Sequence, residues 1–94
     1  MTLGHVNSMH FVYLIRSISC PNKTCVGMTE DVESRLKAHN DGLCPSTTRF
    51  RPWELITYIA VRSEDQARRL EQYLKTGSGH AFAHKHLWEA NTIT

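Results

Sequence analysis

Ninety-four residues fit one domain, because single cores run to roughly 100–150 residues and so short a chain does not divide into two. A hydrophobic share of 40% with 21% charged residues excludes a disordered chain, and three cysteines without CxxC spacing exclude a disulfide-stapled one. The formal charge of +2 is a weak whole-molecule attractor for phosphate, so any nucleic-acid binding must come from a local cluster.

No apolar run approaches the ~20 residues that span a bilayer, and no signal segment precedes the cysteines. The expectation is a cytoplasmic protein with free thiols and no membrane partner. Candidate basic clusters come from Arg49, Arg51, Arg62, Arg68, Arg69, Lys75, Lys85 and six histidines.

Residues 1–8 are short, polar and Gly-containing, and read as a loose lead-in. The β-branched and aromatic run at 10–16, HFVYLIR, predicts a strand. A turn around Pro21 and Asn22 then leads to a second strand, TCVGM at 24–28, as an antiparallel hairpin.

Thr29 is the expected N-cap of a helix running to about Asn40, with Gly42 as its left-handed stop. Val32, Arg35, Leu36 and His39 recur at i, i+3, i+4 and i+7, so an arginine and a histidine share the stripe that faces the sheet. The stretch 41–53 is loop-like, with hydroxyls and two arginines, Arg49 and Arg51, suited to facing phosphate.

ELITYIAV at 54–61 is the most strand-like run and reads as the central or third strand. Ser63 with Gln66 opens a second helix as a capping box and Gly77 closes it. Ala67, Leu70, Glu71 and Leu74 again fall at i, i+3, i+4 and i+7, which puts a carboxylate in an apolar stripe. A third helix, HAFAHKHLWEA, follows Gly79 and should dock Phe82, Ala83, Leu87 and Trp88 on the sheet. Residues 9–90 form the domain and 91–94 a tail.

A carboxylate rarely leaves water unpartnered. Glu71 therefore either pairs with Arg68 or Lys75, or holds a hard cation such as Mg²⁺. Arg35 and His39 are either a snorkelling arginine with a satisfied histidine, or a phosphate fork beside a group that accepts a proton near neutral pH. Taken together, the three supply the parts of a phosphodiester hydrolase.

Their order resembles the GIY-YIG nucleases, in particular small stand-alone members similar to the amino-terminal catalytic domain found in excinuclease ABC. Phe11-Val12-Tyr13 looks like the first name motif and Cys25-Val26-Gly27 like the second. GMTEDVESRLKAHNDG at 27–42, RPWELITY at 51–58 and SEDQARRLEQYLKTGSG at 63–79 extend the match over most of the chain. The resemblance implies an α+β (α/β) domain with a three-stranded antiparallel sheet flanked by three helices, agreeing with the elements above.

Carried over by residue, the resemblance makes Tyr13 the tyrosine that positions or activates water and Arg35 the phosphate-binding arginine. Glu71 becomes the ligand of Mg²⁺ or Mn²⁺, and His39 a position that varies between histidine and tyrosine. Gly27 becomes a glycine kept bare so that no side chain crowds metal and phosphate. Cys25 is the main departure, because a tyrosine usually stands there; it is either a catalytic position or a small buried hydrophobe. Met28 is another, since some relatives carry a lysine there. Arg49, Arg51, Arg69 and Lys75 complete the expected nucleic-acid contacts.

The function implied is a metal-dependent DNA endonuclease acting on single-stranded or branched DNA with little sequence preference. The alternatives are a catalytically attenuated nucleic-acid-binding module and a protein-interaction module using Trp53 or Trp88. Without an appended targeting domain, specificity is expected from a homodimer or a recruiting partner.

Overall fold

A computed structural model describes residues 9–88; the expected lead-in, the expected tail, and Glu89 and Ala90, expected to end the third helix, lie outside the described residues. The elements are β1 (His10–Ser17), β2 (Thr24–Thr29), α1 (Val32–Asn40), a 3-10 turn (Thr48–Phe50), β3 (Trp53–Val61), α2 (Glu64–Leu74) and α3 (Gly77–His86). The sheet is antiparallel in the order β2-β1-β3, so three strands and three helices form the α+β architecture the sequence implied.

β1 is the central strand, whereas the most strand-like run, in β3, lies at an edge. A strand is central when it has a neighbour on both sides, and β1 has β2 through a tight turn and β3 through the return after α1. Val12 to Ile15 are buried without a break, while β3 ends half exposed. Composition does not distinguish the two positions, because both strands bury apolar side chains.

Alternation along β1 gives the sheet two different faces. Val12 and Leu14 meet Ala67, Leu74 and Ala83, with Val26, Met28, Val61, Leu70, Leu87 and Trp88 packed around them. Tyr13 and Ile15 meet Trp53, with Cys25, Leu36, Phe50 and Leu55 around them. Each fully buried aliphatic side chain contributes about 1.5–3 kcal/mol.

Between Leu14 and Ile15 the register with β3 skips Ile56, since Leu14 lies opposite Thr57 and Ile15 opposite Leu55. This bulge shifts the alternation by one residue. Trp53 and Leu55 therefore reach the Tyr13 side instead of sharing a face with Val61.

The helix ends show where local signals competed. Asp31, not Thr29, caps α1, because its carboxylate accepts from Ser34 N at 3.1 Å and from the Ser34 hydroxyl at 3.0 Å. Thr29 instead accepts from Asp31 N at 3.1 Å in the turn before the helix. Gly42, at φ 82, is the expected left-handed stop. Ser63 caps α2 by accepting from Gln66 N at 3.0 Å, as its spacing predicts.

Gly77 does not close α2 but opens α3, which starts earlier than expected because Thr76 accepts from Gly79 N at 3.1 Å and caps it. Gly79 sits where α3 crosses the end of α2, and a Cβ there would stand 2.6 Å from Leu74 Cα. Phe82 does not dock on the sheet. It is 41% exposed and lies against Tyr73 and His86, while Ala83, Leu87 and Trp88 turn inward as expected.

Candidate active site

Tyr13 is 3% exposed in the middle of the central strand, directly opposite Gly27 on β2. Its ring crosses over Gly27, and a Cβ at that position would stand 2.6 Å from Cζ and collide with the hydroxyl. Gly27 was expected to stay bare for a metal and a phosphate. In the structure the close approach is by the phenol of Tyr13.

The phenol belongs to a hydrogen-bond chain, and giving the Thr47 proton to a backbone carbonyl sets one direction along it. Thr47 Oγ1 donates its one proton to Cys44 O at 3.1 Å, so it accepts from His39 Nδ1–H at 2.8 Å. That tautomer leaves His39 Nε2 as an acceptor for the Tyr13 hydroxyl at 2.9 Å. Tyr13 Oη in turn accepts from Arg35 Nε at 3.3 Å. Arg35, itself exposed, is the outer member, and buried His39 and Thr47 are the inner ones.

Charge follows this arrangement. Burial pushes the Tyr13 phenol above its ordinary value, opposed by the hydrogen bond and charge of Arg35. Burial, and then the Arg35 charge, pull His39 below its ordinary value, so the imidazole stays neutral at neutral pH. A neutral, oriented imidazole can accept a proton through Nε2.

His39 is held by contacts that the helical period does not announce. Trp53 donates its indole N–H to Thr47 O at 2.9 Å, and Asn40 bonds both N and O of Trp53, at 2.6 and 3.0 Å. These bonds pin the end of α1 to the start of β3. Thr47 and Asn40 were missed in the sequence because neither carries a motif, and Thr47 acts from a loop eight positions after its partner. Trp53 is 4% exposed, so it offers no contact surface to another protein.

Glu71 is half-buried, with its side chain 19% exposed, and accepts from Lys75 Nζ at 3.0 Å. The i, i+4 pair anticipated for this carboxylate is therefore present. Cys25 packs against the cluster of Tyr13, Ile15 and Trp53, and feels the charges of Lys75, Arg35 and Glu71. Among the described residues its thiol makes a polar contact with Val26 O, at 4.0 Å, and burial pushes its pKa up. A protonated thiol packed on Tyr13 and Ile15 is a poor nucleophile or base, and Cys25 is better read as a packing residue.

Among the described residues no three His, Cys, Asp or Glu side chains gather as a metal cage. One half-buried carboxylate open to water suits a hard cation whose shell is completed by water and phosphate oxygens, and not a soft metal. The donor chemistry thus fits a hard divalent cation, at a carboxylate that Lys75 occupies in the structure.

The expected nucleic-acid contacts separate. Lys75 stands beside Glu71, whereas Arg69, 71% exposed, pairs with Asp65 at 3.6 Å on the other side of α2 and is not brought to the site. Arg51 donates from Nε to Thr48 O at 3.0 Å and passes over Gly42, where a Cβ would stand 2.6 Å from Nη1. Arg49 lies over the Phe50 ring. No helix among the described residues is long and apolar enough to cross a membrane.

Residues 9–83 match the family described as the GIY-YIG catalytic domain. The UPF0213 protein CPE1444 of Clostridium perfringens is 32% identical over 69 residues, covering 71% of each chain. The UPF0213 protein YazA of Bacillus subtilis is 34% identical over 67 residues, covering 70% of this chain and 66% of the relative.

Proposed function

This chain belongs to the GIY-YIG family of nuclease domains, and from that membership we propose that it is a metal-dependent endonuclease that hydrolyses DNA phosphodiester bonds with structural or weak sequence preference. The observation that carries the reading is the chain from exposed Arg35 through Tyr13 Oη to His39 Nε2. A structural histidine needs no cation at the outer end of its network. A hydrolase does.

Arg35 has no carboxylate partner among the described residues, so its guanidinium is free to turn onto a phosphate. In doing so it releases a lone pair of Tyr13 Oη to the attacking water. Tyr13 then takes a proton from that water and passes its own to His39 Nε2, while Thr47 keeps Nδ1 protonated and the ring in place. The water oxygen bonds to phosphorus, the P–O bond to the leaving strand breaks, and the departing oxygen takes a proton from solvent. Arg35 meanwhile stabilises the charge that builds on the phosphoryl oxygens. Glu71 would hold the divalent cation, which when bound would supply Lewis acidity toward the phosphate.

A second reading, an attenuated binder of the same fold, is favoured by Cys25, which cannot supply the phenol usual at that position. The test is cleavage of labelled single-stranded, duplex and branched DNA with Mg²⁺ or Mn²⁺. Wild type should cut, Glu71→Gln should not, and Tyr13→Phe should fall about 10²–10⁴-fold, the usual range for proton transfer. An inert wild type rescued by Cys25→Tyr would establish the binder. Cleavage indifferent to metal and to Tyr13→Phe would sink the mechanism.

A further inference from the structure

The cations of this chain divide by whether they have a carboxylate. Arg68, Arg69 and Lys75 on α2 pair with Glu64, Asp65 and Glu71 one turn earlier, and Lys37 pairs with Asp41. Others, Arg35, Arg51, Arg62 and Lys85 among them, have no acidic partner among the described residues, and neither do Lys23 and Arg49. Instead both lie against one ring, with Lys23 Nζ 5.2 Å and Arg49 Cζ 5.5 Å from the centroid of Phe50.

That ring is fixed. It packs on the Tyr13, Ile15 and Trp53 cluster, and Phe50 O accepts from the Ser17 hydroxyl at 2.7 Å. Ile18 N donates to Pro52 O at 2.9 Å and the Ser19 hydroxyl to Arg51 O at 3.2 Å. The β1–β2 turn and the loop before β3 are thus one piece, and both cations are mounted on it.

Two unpaired cations held against one fixed ring concentrate positive potential at that spot, which attracts an anion. We propose that Lys23 and Arg49, mounted on Phe50, form a shelf that binds the phosphate backbone of nucleic acid beyond the bond to be cut. The shelf lies on the same face of the sheet as Tyr13, at the level of Ser17. Four strand residues place it about 13 Å from Tyr13, close to the rise of four nucleotides in a duplex strand. Because the cations occupy the ring, no base stacks on it, so the shelf reads charge and not sequence.

This inference rests on the nuclease reading for its substrate, and its test is independent of cutting. Binding to a fluorescent duplex is followed by anisotropy in EDTA across a salt series. The Lys23→Gln/Arg49→Gln variant is compared with Lys37→Gln/Arg68→Gln, which removes equal charge elsewhere. The shelf variant should weaken about 10-fold at low salt, with the log–log salt slope reduced by about 2, at roughly 0.9 per phosphate contact.

The control should bind like wild type. Phe50→Leu, with folding checked by thermal melting, should keep the slope while weakening affinity, because it removes the mount and not the charges. Equal losses in both double variants, or in neither, would overturn the shelf, as would equally effective competition by polyglutamate of matched charge. Unaltered shelf behaviour in a protein that never cuts would reject the nuclease reading alone.

Discussion

On one side of β1, Val12 and Leu14 are held by apolar side chains from α2 and α3; on the other, Tyr13 is held by His39 and Arg35 of α1 and by the glycine across from it. The first side depends on volume and the second on direction. Apolar packing has no preferred atom, so a change there costs stability in proportion to what is removed. A directed network has particular atoms to lose, so a small change there alters chemistry more than stability.

The largest effect should come from the apolar side. Leu14→Ala is expected to lose about 2–5 kcal/mol in urea unfolding, with activity falling only as the folded fraction falls. Glycine substitutions on the two sides sharpen the contrast. At Gly79 an added Cβ meets the backbone of α2, which cannot turn aside, and Gly79→Ala should destabilise by about 1–3 kcal/mol or more without touching the active site.

At Gly27 the obstacle is the end of the Tyr13 side chain, which can rotate away. Gly27→Ala should therefore cost less stability, yet abolish the His39 Nε2 hydrogen bond, seen as a changed imidazole tautomer signal by NMR. If Gly27→Ala leaves that signal unchanged, the two sides do not differ in the way described.

Thr47→Val should lose about 1–3 kcal/mol, because it leaves the His39 Nδ1–H without its acceptor. Acid should act on this side alone. His39 has its pKa lowered on folding, so the unfolded chain binds the extra proton first, and this contribution to stability is intact above the ordinary value of 6.5 and is lost as pH falls below it. Thermal melts at pH 7.5 and 5 should therefore differ in wild type and differ less in His39→Gln. At the smallest end, Arg69→Gln on the outer side of α2 should change stability by no more than about 0.5 kcal/mol, and cleavage not at all.

Much of this was legible in the residues. The hairpin around Pro21 and Asn22, the Ser63 cap, the Gly42 stop and the intrusion of Arg35, His39 and Glu71 into apolar stripes are local signals, and the structure keeps them. The cap of α1 moved from Thr29 to Asp31 because two good capping residues stand two apart, and only the turn chooses between them. Arg69 looked equivalent to Lys75 as a basic residue of α2. The helix carries one to Glu71 beside Cys25 and the other to Asp65 on the outside.

Which segments are helix or strand was settled locally, because periodicity and capping act over a few residues, and the family resemblance was carried by residues spread over most of the chain. That β1 is central, that the skip at Ile56 turns Trp53 and Leu55 toward Tyr13, and that Thr47 fixes the tautomer of His39 came only with the folded arrangement. Those are meetings between residues distant in the chain. Strand order, bulge and hydrogen-bond direction are set by which partners arrive, and no local pattern records the arrival.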